Sequence, residues 1–508
     1  MTSVRLNILA NYAGSFWTGM MGIIFVPQYI KFMGIESYGL VGVFSSLLTI
    51  FALFDMGLSV AINREMARGS ALNRDARQLR NLARTLEIIY WCVAVLIGGS
   101  VILLADPISK YWVNPDRLSR EAVGQAITIM GFVVALRWPA SLYLGGLMGL
   151  QKQLGVSVVS SSCATIRGVG AVLVLWLIEP SIRAFFLFQI VASAAETSAL
   201  MVYLWISLPP EKKRPRFDIK LLSEVWWFSA GMAGTSVFTL ILTQTDKVIL
   251  SRMLSLEDFG YYTLAWTAAS ILYRIMAPLD SAIYPRLTQL VALQDVEQLT
   301  LFYHKASQAM SVILLPATMV LAIFSEKVLF VWTGDPGISH YTAPILSLLA
   351  VGTCLNGFMH IPYYAQLAYG WVSLGFWMNA ASTIILAPMI VVCTSLYGPV
   401  GAATGWVALN SGYLLIGIGL MHRRIFKDQK WVWYFHDVGL PTGAAVLGGL
   451  VLAYWIVPST EPRWAMLASL SLTGTLGLAM TMMAAPMVRH VTFTTIRTYL
   501  KTQRVWEH

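Results

Sequence analysis

Charge is scarce in this chain. Only 12% of its 508 residues are Asp, Glu, Lys or Arg, while 57% are hydrophobic. Soluble domains carry about 25% charged residues. So few charges cannot cover the surface of a soluble fold of this size, so lipid has to act as the outer solvent. Cysteine is scarce too. Cys92, Cys163, Cys354 and Cys393 all fall inside apolar runs with no metal-ligand spacing. They read as small buried residues, which leaves no expected metal or other cofactor. A cleavable signal peptide is not expected either, since the first apolar run is too long and no small-residue cleavage site follows it. It is expected to stay as an uncleaved anchor. Long loops are missing: the longest on the outer side is about 107–121. With them goes room for the catalytic loop of a membrane enzyme, and no nucleophile–base or metal constellation is visible.

What is present is apolar runs of helix length. In lipid every backbone polar group must be satisfied within the chain, and runs near 20 residues choose helices over barrel strands. Fourteen segments are expected, at about 7–32, 38–62, 86–105, 122–149, 155–178, 184–208, 223–249, 259–284, 305–332, 341–368, 372–396, 399–421, 438–458 and 464–486. An even number puts both termini on one side. That side carries 23 Lys and Arg and the opposite side eight, so both termini are predicted to be cytoplasmic. Topology and anionic lipid thus explain the basic balance, and nucleic acid is not an expected partner. The basic segment 63–85 reads as an amphipathic surface helix.

The stretch 209–222 is Pro-rich and charged, and reads as a cytoplasmic linker between 1–208 and 223–421, with 422–508 appended. The two halves echo each other. Glu36-Ser37-Tyr38-Gly39 opens the second span and Glu257-Asp258-Phe259-Gly260 the eighth. The offset of 221 residues recurs at Ala61-Ile62 and Ala282-Ile283. Six spans separate the copies, which points to a parallel repeat about the membrane normal, an arrangement used for alternating access.

Eight ionisable residues fall within the spans: Asp55, Arg137, Arg167, Glu196, Asp246, Lys247, Arg274 and Asp280. Each costs roughly 2.5–3.5 kcal/mol to insert, so such groups face a bundle interior or a wet cavity. Arg137, Arg167, Glu196 and Arg274 are the deepest. Polar stripes accompany them: Ser157 and Ser161 with Arg167; Gln189 and Ser193 with Glu196; Ser236, Thr239 and Thr243 with Asp246; Thr263, Thr267, Ser270 and Ser281 with Arg274. A shared hydrated cavity explains them; helix packing and internal salt bridges, such as Arg167 with Glu196, are the alternative. Arginine stays charged and grips phosphate through a two-pronged fork, so Arg137, Arg167 and Arg274, with Lys247, point to a pyrophosphate-bearing ligand. Asp55, Glu196, Asp246 and Asp280 either offset that charge or couple to H+ or Na+. Prolines 27, 139, 278, 316, 362 and 388 provide bending points. Asn356, His360, Tyr363, Tyr364 and Gln366 are candidates for contact with sugar.

Several stretches resemble the polysaccharide transport family, the O-antigen flippase group of the multidrug/oligosaccharidyl-lipid/polysaccharide exporter superfamily. They are Asn11 to Gly34, Glu36 to Leu40, Leu53-Phe-Asp-Met-Gly-Leu58, Asp246-Lys-Val-Ile-Leu250, Phe259 to Ala265 and Tyr284-Pro-Arg286. The resemblance implies an all-α polytopic protein of two six-helix lobes related by a pseudo-two-fold axis, plus a C-terminal helix pair. It also implies a bacterial inner-membrane location and a substrate of undecaprenyl-pyrophosphate-linked oligosaccharide, flipped for O-antigen or exopolysaccharide assembly. A polysaccharide polymerase and a chain-length regulator would be its partners. One departure stands out: lipid II flippases place arginines in the first span, whereas here that span beyond Arg5 has only Asn7, Asn11 and Gln28. The rival readings are a cation-coupled multidrug exporter, a polytopic membrane enzyme of glycan assembly, and a scaffold for the glycan-assembly enzymes.

Overall fold

The computed structural model describes residues 2–71, 76–223, 244–455, 462–490 and 494. Helices account for almost all of them; apart from an isolated bridge between Asn114 and Ser255, no β-structure occurs among the described residues. Ten of these helices are long and apolar enough to cross a membrane. The chain is therefore an all-α, multi-pass membrane protein. Thirteen of the fourteen expected segments are helical, and the other, 223–249, lies largely outside the described residues.

Helix boundaries follow local chemistry. Ser119, Ser181, Asp295 and Asp335 cap the helices Arg120–Arg137, Ile182–Ser207, Val296–Ile323 and Pro336–Phe358, each accepting a backbone N–H three residues on. Gly34 separates Val26–Met33 from Ile35–Phe51 at φ 82°, and Gly398 interrupts the long helix Val372–Gly412 at φ 57°. Only glycine takes such angles freely. Gly398 thus divides the two spans expected at 372–396 and 399–421.

Two sequence readings need correction. The span expected at 38–62 stops at Asp55. Met56 and Gly57 are left-handed, and a new helix, Leu58–Ala71, starts beyond them. The Asp55 carboxylate caps the helix beyond this break, accepting the Ser59 backbone N–H at 3.4 Å and the Ser59 hydroxyl at 2.7 Å. Nor is 63–85 a surface helix. It comprises the end of Leu58–Ala71 and the start of Ala76–Pro107, with 72–75 outside the described residues. Its stripe of Met66, Leu79 and Leu82 is buried.

The chain folds as two compact units, Met1–Gly260 and Tyr261–His508. In the first unit Tyr90, Tyr143, Phe186, Leu40, Ile62 and Met66 are among the largest fully buried side chains. Glycines let its helices close up. Gly145 and Gly149 lie against the backbone oxygens of Ser59 and Asn63, and Gly98 faces Gly131. Lipid gives helices no hydrophobic reason to associate, so such small-residue faces supply close van der Waals contact. The linker strand is tied down as well: Asn81 and Thr85 accept the N–H groups of Arg216 and Asp218 at 2.9 Å each.

The boundary falls after Gly260, downstream of the linker, because the turn 251–257 is clasped to the loop 113–118. Leu256 N–H donates to Asn114 O, Asn114 Nδ2 to Arg252 O, and Trp112 Nε1 to Ser251 Oγ. Glu36, itself buried, gathers the successive N–H groups of Asp116, Arg117 and Leu118 on its carboxylate at 2.7–3.2 Å.

In the second unit the helices Val296–Ile323 and Leu440–Trp455 close around Trp433 and Tyr303. His304 Nδ1 meets Asp437 Oδ2 at 2.5 Å, Gln308 Nε2 donates to Asp437 Oδ1, and the Met487 N–H donates to Gln308 Oε1. This buried network fastens the C-terminal helix pair to the rest of its unit.

Candidate functional site

The first unit gathers its deep charges on three helices. Arg167 lies midway along Gln153–Leu177, and Gln189, Ser193 and Glu196 fall at helical intervals along Ile182–Ser207. The guanidinium donates through Nη1 to Gln189 Oε1 at 2.7 Å and Ser193 Oγ at 3.2 Å, and through Nη2 to Glu196 Oε2 at 2.6 Å. Both ions of this pair are largely buried, with 15% and 17% of their side chains exposed. The internal salt bridge that the sequence offered as an alternative is therefore formed.

Arg137 closes the next helix, Arg120–Arg137, just before the Trp138-Pro139 bend. It is half-buried and within electrostatic reach of Arg167 and Glu196. Yet it makes no hydrogen bond or ion pair among the described residues. Glu196 is paired with Arg167 alone, and Arg137 is left without a partner among the described residues. Such a site holds an excess positive charge away from bulk water, which an anion would neutralise.

Asp55 belongs to a different part of this unit. Its carboxylate accepts the Tyr90 hydroxyl and the Ser59 groups, and Ser141 Oγ lies 3.4 Å away. It acts as a helix cap within a hydroxyl cluster. Asp246 is buried and Lys247 half-buried, on the helical stretch 244–253. Ser236, Thr239 and Thr243 lie outside the described residues.

The second unit holds its own polar cluster. Asp280 Oδ2 meets His360 Nδ1 at 2.9 Å, and Asp280 Oδ1 is buried without a hydrogen bond. Tyr284 and Tyr363 pack against Tyr364, with ring centroids 5.6 and 6.2 Å apart, and His360 packs edge-on to Tyr364. An acid, an imidazole and a sheet of tyrosines thus come together from the helices Ile271–Ala292 and His360–Ala368. Arg274 is exposed, one and a half turns before Asp280, and is unpaired among the described residues. Asn356 is engaged within the bundle, donating to Asn410 at 2.9 Å and accepting from Tyr273 at 3.4 Å. Gln366 is buried, whereas Tyr363 is 42% exposed. The hydroxyls of Thr267, Ser270 and Ser281 each donate to a carbonyl of their own segment, as helical hydroxyls commonly do.

Sequence reasoning passes over Tyr90, His304, Asp437 and Asn410. Asp437 stands 133 residues from His304, so no spacing rule links them. A buried acid in an apolar run is the one available signal.

The chain is thus a multi-pass membrane bundle with a charged, largely buried cluster in each unit. The chain belongs to the polysaccharide biosynthesis protein family, whose model matches residues 4–291. The MatE model matches residues 232–392. Among known proteins, it is 22% identical to a putative O-antigen transporter of Shigella flexneri over 74% of this chain and 87% of that protein. It is also 22% identical to the succinoglycan biosynthesis transport protein ExoT of Rhizobium meliloti, over 79% and 76%. Of solved structures, the lipid II flippase MurJ in an inward closed conformation superposes with a TM-score of 0.67 at 12% identity, covering 94% of this chain and 98% of that one. An inward-facing multidrug resistance MATE family transporter superposes at 0.62 with 14% identity, covering 83% and 94%. At such identity these likenesses establish the fold.

Proposed function

We propose that this chain is a flippase that moves undecaprenyl-pyrophosphate-linked oligosaccharide units from the cytoplasmic to the outer leaflet by alternating access. It is a transporter and not an enzyme, and it serves the assembly of a surface polysaccharide. The observation that carries this reading is Arg137. It is a half-buried guanidinium next to the Arg167–Glu196 pair, with no partner among the described residues. A pyrophosphate offers what it lacks, and family membership supplies the glycan context. Arg137 binds the pyrophosphate, and Arg274 is the candidate anion-binding group of the second unit. Arg167 is clamped by Glu196, Gln189 and Ser193 and shapes the field around it. Lys247, Glu196 and Asp246 set the balance of charge. The exposed Tyr363 and its neighbour Tyr364 offer rings for a sugar to stack on, beside His360, Asn356 and Gln366. The Asp280–His360 pair is the place where a coupling ion acts, and its donor set of one carboxylate and one imidazole suits H+ better than Na+. The protein sits in a bacterial inner membrane with both termini cytoplasmic, and it hands its cargo to a polymerase and a chain-length regulator.

The test is a deletion strain. It should accumulate lipid-linked repeat units on the cytoplasmic leaflet and lose surface polysaccharide. Normal surface polysaccharide there contradicts the proposal. The second reading, a cation-coupled multidrug exporter, rests on the match of residues 232–392 to the MatE model. It predicts a drug-sensitive deletion strain with intact polysaccharide.

A further inference from the structure

A cavity with a charged rim opens at the end of the first unit that carries the loop 113–119. It occupies about 610 Å³ between the helices Ala76–Pro107, Arg120–Arg137 and Ile182–Ser207. Arg120, Glu121 and Arg183 form its rim, and Ile102, Ile129 and Leu187 line it about one to two and a half turns further in. One turn is about 5.4 Å, so polar rim and apolar floor are separated by roughly the depth from a lipid headgroup to its first methylenes. Gly124 keeps the space open, since a Cβ there would come within 3.3 Å of Ser109 Oγ.

The charges of the rim are unevenly served. Asp106 is occupied by Lys110 at 2.7 Å, and Glu121 accepts from Gln125 at 3.4 Å. Neither Arg120 nor Arg183 has an ion pair or side-chain hydrogen bond among the described residues. Each also stands in the first turn of its helix, where a cation opposes the helix dipole. Two guanidinium groups from different helices, without carboxylate partners, flank a cavity whose floor is apolar.

We infer that this cavity is a phospholipid site. The phosphodiester lies between Arg120 and Arg183, and a chain runs down past Ile129 and Leu187. Glu121 is placed to receive the ammonium of an ethanolamine headgroup. A phosphate group suits the fork of arginine, and a lipid alone also uses the floor. The site is separate from the transport reading and stands or falls without it.

Native mass spectrometry of the full chain, purified with phosphatidylethanolamine, provides the test. The wild type should retain one tightly held phospholipid. R120Q/R183Q should lower its occupancy about tenfold or more, the scale of losing charge-assisted hydrogen bonds. Leu187 is 44% exposed, so L187W fills the floor with little risk to folding. It should release the lipid while leaving both arginines in place. Millimolar inorganic phosphate should not displace the lipid from the wild type. Equal lipid retention by the wild type and L187W overturns the proposal. So does displacement by phosphate alone, which would make the cavity a simple anion site.

Discussion

Gly39 and Gly260 face one another across a helix crossing at which neither can carry a side chain. A Cβ on Gly39 would overlap the carbonyl oxygen of Leu256, and a Cβ on Gly260 would overlap that of Ile35. These glycines end the two copies of the sequence echo, Glu36 to Gly39 and Glu257 to Gly260. The two stretches that echo each other 221 residues apart in the chain therefore touch in space, within the first unit.

Alanine at either glycine should accordingly destabilise the protein, because the obstruction is backbone and cannot rotate away. Overpacking of this kind costs about 1–3 kcal/mol. Gly22 has nothing within 4 Å of a Cβ and serves as the control. Ala there should be neutral or stabilising by up to about 1 kcal/mol through helix propensity. Thermal unfolding in detergent would compare the three variants.

Arg137 and Arg167 should behave differently although both are deep guanidinium groups. Arg167 answers Glu196, so Arg167→Gln leaves a largely buried carboxylate uncompensated and should cost about 3–5 kcal/mol of stability. Arg137→Gln removes a charge that has no partner among the described residues, so the fold should hold while transport falls. Unfolding curves and a polysaccharide complementation assay on both variants separate stability from function.

The His304–Asp437 pair should anchor the C-terminal helix pair. Asp437 is fully buried and also accepts from Gln308. Asp437→Leu strands His304 and Gln308 together and should lower stability by several kcal/mol, of the order found for broken buried pairs. Hydrogen exchange should then show early opening of Leu440–Trp455 and Arg463–Ala484. Loss of protection spread evenly over the chain would contradict this assignment.

Asp280→Asn should uncouple transport from a proton gradient. The variant keeps the shape that meets His360 but cannot exchange a proton in the same way. Flipping in proteoliposomes should lose its response to an imposed pH difference of one unit, while binding of the lipid-linked glycan stays near wild type. An unchanged response would move coupling away from the Asp280–His360 contact.

The sequence discloses the helical class and most spans, because apolar length is a property of contiguous residues. It discloses Arg167 with Glu196 for a related reason: both lie on polar stripes at helical intervals. The break at Asp55 is hidden because Met56 and Gly57 sit inside an unbroken apolar run, and capping by a carboxylate leaves no mark on hydropathy. The segment 63–85 reads as an amphipathic surface helix because the bases around Met66 and Leu79 dominate its composition. Their i, i+4 neighbours form the stripe that packs. His304 with Asp437, and Asp280 with His360, are long-range pairs that folding alone brings together.

The most direct test is the affinity of the reconstituted chain for a pyrophosphate-linked glycolipid. It should be measured for the wild type and for Arg137→Gln and Arg274→Gln, one substitution in each unit. Loss of a charge-assisted contact is worth about 1.5–3 kcal/mol, so each variant should bind at least about tenfold more weakly. Wild-type affinity in either variant would contradict the assignment of these two arginines to an anionic cargo.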